Sequence, residues 1–196
     1  MKIEEKALLQ DQIQTDVSLI SFLSVISVFF LGSLLPEFSS YDLSVKIPIS
    51  FLIVSTFAFV FSALILSNSG QLINEGNQRR VEKHVSYGYA ISEYLGVFLF
   101  ILSVPLTISV ITSDYYLRFV TFCASILGMA VYEFGGFSLL NNHFKKRHRL
   151  FSVIILTLGI ILFVSQTYSF YFTFIASVFL FFILLVTILA PIKEFQ

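Results

Sequence analysis

Apolar residues run through this chain in long unbroken blocks, and the polar residues gather between them. Six blocks are about as long as the roughly 20 residues a helix needs to cross a bilayer. They run from Val17 to Leu35, ended by Pro36; from Ile47 to Ser67, with Pro48 near its start; and from Ile91 to Ile111. The others run from Leu117 to Leu140, from Leu150 to Gln166, and from Phe170 to Ala190, stopped by Pro191. The pattern predicts an all-α, polytopic transmembrane helical bundle of six spans, folded as a single integral membrane domain over 1–196. Only Thr167, Tyr168 and Ser169 link the last two blocks, so these can also be read as one re-entrant hairpin.

The longest polar stretch is 68–90. Glu75 and Arg79 stand four apart, in the order that favours a helical pair. Val81, Val85 and Tyr89 recur every four residues beside Arg80, Glu82, Lys83 and His84. This spacing predicts a short cytoplasmic helix over 77–87, with its valines turned to the membrane or to the bundle. Gly70, Gly76 and Gly88 are the expected break points.

Composition agrees with a membrane solvent. Hydrophobic residues make up 57% of the chain and charged residues 12%, about half the charge of a soluble domain. The mean hydropathy is +0.89. A net charge of zero, with the cations confined to short loops, gives no basis for nucleic-acid binding. The lone cysteine, Cys123, rules out an intrachain disulfide. There is no Trp, so an interfacial aromatic belt falls to Tyr41, Tyr87, Tyr89, Tyr115, Tyr116 and Tyr168. The acidic N-terminus makes a poor signal-peptide n-region, so the first block is retained as a span.

The cations set an expected orientation. Lys2, Lys6, Arg79, Arg80, Lys83, Lys145, Lys146, Arg147, Arg149 and Lys193 fall on one side of the six-span scheme, and Lys46 and Arg118 on the other. Positive-inside bias then puts both termini in the cytoplasm, with the plasma membrane as the expected location. The two basic groups, Arg79, Arg80 and Lys83 in one loop and Lys145, Lys146, Arg147 and Arg149 in the other, are candidate contacts for anionic lipid or a partner.

Few residues are left to carry chemistry. Glu133 lies about eight residues before Asn141, roughly 12 Å inside the expected end of the fourth span. A carboxylate at that depth should face protein or water. Ala130 and Gly136 share its face, and Ala124 and Gly128 form a small-xxx-small pair one sector away, so this side is expected to pack inward. Glu93 opens the third span and could meet Glu133 in one inner vestibule, or simply complement a helix dipole. Pro105 stands mid-span; it frees the carbonyl of Ile101 close to Ser103, Thr107 and Ser109, and predicts a kink. Asp114 and Arg118 are expected to form a local ion pair.

No HExxH, GxGxxG or P-loop lysine occurs, and His84, His143 and His148 all fall in loops. No cofactor, metal site or catalytic residue is assigned. The expected function is that of a small channel- or transporter-like protein with an inner carboxylate vestibule. An accessory subunit of a larger membrane complex, or a homo-oligomer, is the alternative reading, and a lipid-modifying enzyme with an unfamiliar site the third.

Overall fold

In the computed structural model, residues 3–74, 78–135, 138 and 147–191 are described, and every regular element among them is helical. The helices are α1 (Ile3–Leu34), α2 (Leu43–Asn74), α3 (Gln78–Ala90), α4 (Leu99–Ile111), α5 (Tyr115–Phe134), α6 (Arg147–Ser165) and α7 (Ser169–Leu189). A 3₁₀ turn, Leu35–Glu37, closes α1 around Pro36. A π-helical segment, Ile91–Phe98, joins α3 to α4. Five helical stretches are long and apolar enough to cross a membrane: Ala7–Glu37, Leu43–Ile73, Arg79–Ile111, Tyr115–Phe134 and Phe170–Leu189. Leu150–Ser165, within α6, is a shorter apolar helix.

The connectors 35–42, 112–114 and 166–168 define a short-loop end of the bundle. Leu31, Val45, Ile49 and Leu52 form a small apolar cluster there. Measured from this end, α5, α6 and α7 are each about one bilayer thick, at 1.5 Å per residue. By contrast α1 and α2 have 32 residues each, and α3, the π segment and α4 form one rod whose stretch Arg79–Ile111 alone has 33. These three are roughly 18 Å longer than the 30 Å hydrocarbon core. Their excess lies at the far end, where Ile13, Ile73, Val81 and Val85 are buried together in the main core.

The stripe Val81, Val85 and Tyr89 therefore does turn inward, while Arg79, Arg80, Glu82 and Lys83 are exposed. What differs from expectation is the boundary. The helix of the 68–90 region does not stop at Gly88; it runs straight on toward the membrane block. Gly70 likewise lies inside α2. Glu75 and Gly76 lie outside the described residues. Gly88 is needed as a point of close approach: a Cβ there would stand 2.8 Å from Leu66 Cγ and Cδ2.

Gly96 has the same role further along the rod, where a Cβ would stand 2.5 Å from Phe59 Cε1. On α2, Ser62 Oγ donates to the Gly88 carbonyl over 2.7 Å, and Ser55 Oγ donates to the Gly96 carbonyl over 2.8 Å. Two matching clasps result, each made of a serine hydroxyl on a glycine carbonyl with a large side chain, four residues beyond the serine, laid over the glycine. The serines are seven residues apart and the glycines eight. Seven residues make about two α-helical turns, whereas in unbroken α-helix Gly96 would be rotated some 80° from Gly88. The wider turn of the π segment takes up the extra residue and returns Gly96 to the face of α2.

Pro105 lies inside α4. The helix is continuous across Pro105, and the departure from α geometry in this rod is the π segment before it. Further contacts tie the bundle: Ser27 and Thr56 hydroxyls meet at 2.5 Å between α1 and α2, and Phe122 stacks on Phe163 between α5 and α6.

Candidate functional site

The clearest site is built on the π segment. Glu93 is completely buried, as are Ser92 and Tyr94 beside it. Ser138 Oγ lies 2.9 Å from Glu93 Oε1 and 3.0 Å from Oε2, so its single proton is shared across the carboxylate. Tyr132, from the last turn of α5, directs its hydroxyl at Oε2 from 3.4 Å and packs edge-on to Phe98. A π segment is a frequent marker of function within an α-helix; here its wide turn presents Glu93 to α5 and to the chain beyond it.

Glu133 is buried as well, at 5% exposure, but its setting differs from expectation. The fourth block does not continue as helix to Leu140. α5 ends at Phe134, with Gly135 as the C-cap, its N–H bonded to the Val131 carbonyl. Glu133 therefore occupies the final turn of a helix, not a position two turns inside one. The helix thus stops at Gly135, an end that hydrophobicity hid, and Gly136 lies outside the described residues. The expected inward small-residue face is also corrected in part. Ala124 and Gly128 are exposed, and nothing lies within 4 Å of a Cβ placed on Gly128.

A third acid belongs to the same layer. Tyr89 OH donates to Asp16 Oδ2 over 2.5 Å, linking α3 to α1. Asp16 lies 18 residues before Leu34, Glu93 lies 18 before Ile111, and Glu133 lies 18 after Tyr115. All three acids thus stand about 27 Å from the short-loop end, one on each of three rods. Asp16 does not stand out in the sequence, because it precedes the apolar block by one residue and reads as a flank. Tyr89, expected in the interfacial belt, is wholly buried.

The remaining candidates separate. Ser103 Oγ donates to the Phe100 carbonyl, and Thr107 Oγ1 to the Ser103 carbonyl, both within their own helix. Their hydroxyls are thus spent locally and do not serve the Ile101 carbonyl. Pro105 is buried among them. Of the basic groups, Arg79, Arg80 and Lys83 are exposed on α3. Lys145 and Lys146 lie outside the described residues, as do the side chains of Arg147 and Arg149. Two buried hydroxyls, Ser86 Oγ and Ser92 Oγ, have no hydrogen-bond partner among the described residues; they flank Tyr89 in the chain, and Ser92 directly precedes Glu93.

At the short-loop end, Asp114 and Arg118 do not form the expected pair. Asp114 Oδ1 accepts from the Leu117 N–H as the N-cap of α5. Arg118 Nε donates instead to the Thr112 carbonyl over 2.7 Å. Comparison with known protein families, with characterised proteins and with solved structures gives no match.

Proposed function

We propose that this chain is a small multi-pass integral membrane protein of channel or transporter type, non-enzymatic, with Glu93 at the centre of an inner carboxylate site. The observation that carries the reading is a fully buried carboxylate on a π segment, with both oxygens within 3.0 Å of one serine hydroxyl. Buried acids in membrane bundles mark ion and proton pathways, because their solvation cost is otherwise prohibitive. The Ser92 hydroxyl adjoining Glu93, without a partner among the described residues, adds an oxygen of the kind a proton or a hard cation uses.

In this reading α6 supplies a sixth span beside the five long ones. The cation bias places both termini and the projecting ends of α1, α2 and α3 in the cytoplasm, with the plasma membrane as host. Arg79, Arg80 and Lys83 then face anionic lipid headgroups at the inner surface.

Flux of protons and of monovalent cations into reconstituted vesicles tests the site. Glu93→Gln and Glu133→Gln should leave the fold intact, and the Glu93 variant should abolish flux. Unchanged flux in Glu93→Gln, against a parent that transports, removes the reading.

A second reading rests on α5. Its exposed Cys123, Ala124 and Gly128 leave room for a neighbouring helix, as small residues do in membrane interfaces. This favours an accessory subunit or a homo-oligomer. Gentle extraction from the native membrane, followed by identification of the chains that co-purify, tests it.

A further inference from the structure

A cleft of about 460 Å³ opens at the short-loop end between α4, α5 and α6. Its polar side is formed by Arg118, Gln166 and Ser109, and its apolar wall by Phe122, Phe163 and Phe119. Among the described residues of the lining, Arg118 is the only one charged at neutral pH, and none is Asp or Glu. Its guanidinium is held in place at one edge, where Nε donates to the Thr112 carbonyl, and the group lies 5.7 Å from the Tyr115 ring. The two terminal nitrogens make no further hydrogen bond or ion pair among the described residues. A planar donor fork is thus held by its Nε in the lining of an open cleft. Such a fork matches the oxygens of a phosphate.

The floor is equally ordered. Gln166 Nε2 donates to the Leu106 carbonyl over 2.8 Å, and its carbonyl oxygen accepts from Ser109 Oγ. This fastens the end of α6 to α4. Phe122 and Phe163 stack with centroids 4.2 Å apart. Tyr115 and Phe119 of the lining, and Tyr168 next to Thr167 in the chain, are strongly exposed, as expected where aromatic residues meet a headgroup layer.

We propose that this cleft binds the phosphate headgroup of an anionic phospholipid, with Arg118 on the phosphate and the first apolar part of the lipid against Phe119 and Phe122. A lipid fits better than a soluble anion for two reasons. The lining that Arg118 shares is largely aromatic, with Tyr115, Phe119, Phe122 and Phe163, and Tyr115 and Phe119 are strongly exposed, as apolar side chains covered by a membrane would be. The site lies at the opposite end of the bundle from Glu93 and does not depend on its role.

The test is native mass spectrometry of the delipidated full chain, titrated with phosphatidylglycerol or phosphatidylcholine of identical acyl chains. The parent protein should prefer phosphatidylglycerol by about fivefold, the effect of one well-placed cation near a headgroup. Arg118→Gln should abolish the preference, and Arg118→Lys should keep some of it. Lys46→Gln, which removes the other cation of this end, should leave it unchanged. Thr167→Glu, at an exposed position on the rim, should also abolish it while leaving Arg118 and its anchor in place, so a folding defect in Arg118→Gln does not decide the matter. No preference in the parent overturns the proposal, as does a preference that survives Thr167→Glu. Displacement of bound phosphatidylglycerol by millimolar inorganic phosphate would show a soluble-anion site, and would overturn it too.

Discussion

Ser55 and Gly96 fix α2 against the π segment from two directions: the serine hydroxyl donates to the glycine carbonyl over 2.8 Å, and Phe59, four residues past the serine, fills the volume a side chain at 96 would need. Hydrogen bonds between membrane helices are individually weak, near 0.6 kcal/mol on average. The close fit of backbone and side chain beside this one makes the contact selective.

Gly96→Ala should therefore destabilise the bundle by about 1–3 kcal/mol, the usual cost of forcing extra volume into a packed core. Thermal unfolding in detergent measures it. Phe59→Leu combined with Gly96→Ala should recover some of the loss, giving a favourable coupling between two substitutions that are each unfavourable alone. Strict additivity would show that the two side chains do not compete for one space.

Deletions test the register between the two clasps. Removing Leu95 shortens the spacing between the clasp glycines from eight residues to seven, which an α-helix matches to α2 without a π segment. Deleting Ile101 from α4 leaves the clasps alone and rotates the rest of that helix by about 100°. The Leu95 deletion should melt at the higher temperature of the two. The reverse order would mean that the π segment is not there to reconcile the register.

Ser138→Ala removes the hydroxyl shared by the Glu93 oxygens and should cost about 1–3 kcal/mol, the range for depriving a buried polar group of its partner. Tyr132→Phe, whose hydroxyl sits at 3.4 Å, should cost less. Melting curves of the two variants, compared in the Glu93→Gln background, should converge if both act through that carboxylate.

Cys123 is exposed on α5, 8 residues from the first residue of that helix, Tyr115. In vesicles it should react with an apolar maleimide and resist a charged one. Equal labelling by the charged reagent would place this face of α5 in water. After Cys123→Ser, single cysteines introduced as Ser39→Cys and Gln78→Cys should label from opposite sides of the membrane.

The apolar blocks made the helical class and most of the helix positions legible, because a span needs little beyond length and hydropathy. Helix ends were not legible in the same way. α1, α2 and α3 continue well past their apolar blocks, and there Ile13, Ile73, Val81 and Val85 are buried in the main core, a tertiary effect that a sliding window does not register. The stop of α5 at Gly135 was concealed by the apolar residues that follow it. Glu93 stood out as an acid at the start of a hydrophobic block and Glu133 as one within a block, and both are buried. The partners of Glu93 could not be read, since Ser138 lies 45 residues away in sequence and serines are common throughout the chain. The π segment left no mark in ISEYLGVF that periodicity would reveal; it follows from the demands of α2.

The level shared by Asp16, Glu93 and Glu133 has an electrical consequence. A layer about 27 Å from the short-loop face of a 30 Å hydrocarbon core lies close to the opposite face, so a charge entering from that nearer side crosses only about a tenth of the membrane field. With roughly 2.3 kcal/mol per unit charge per 100 mV across the whole thickness, the voltage contributes about 0.2 kcal/mol to occupying this layer. Under the proposed function, loading of Glu93 by a proton or cation would accordingly follow the composition of the adjoining solution and be nearly indifferent to the membrane potential.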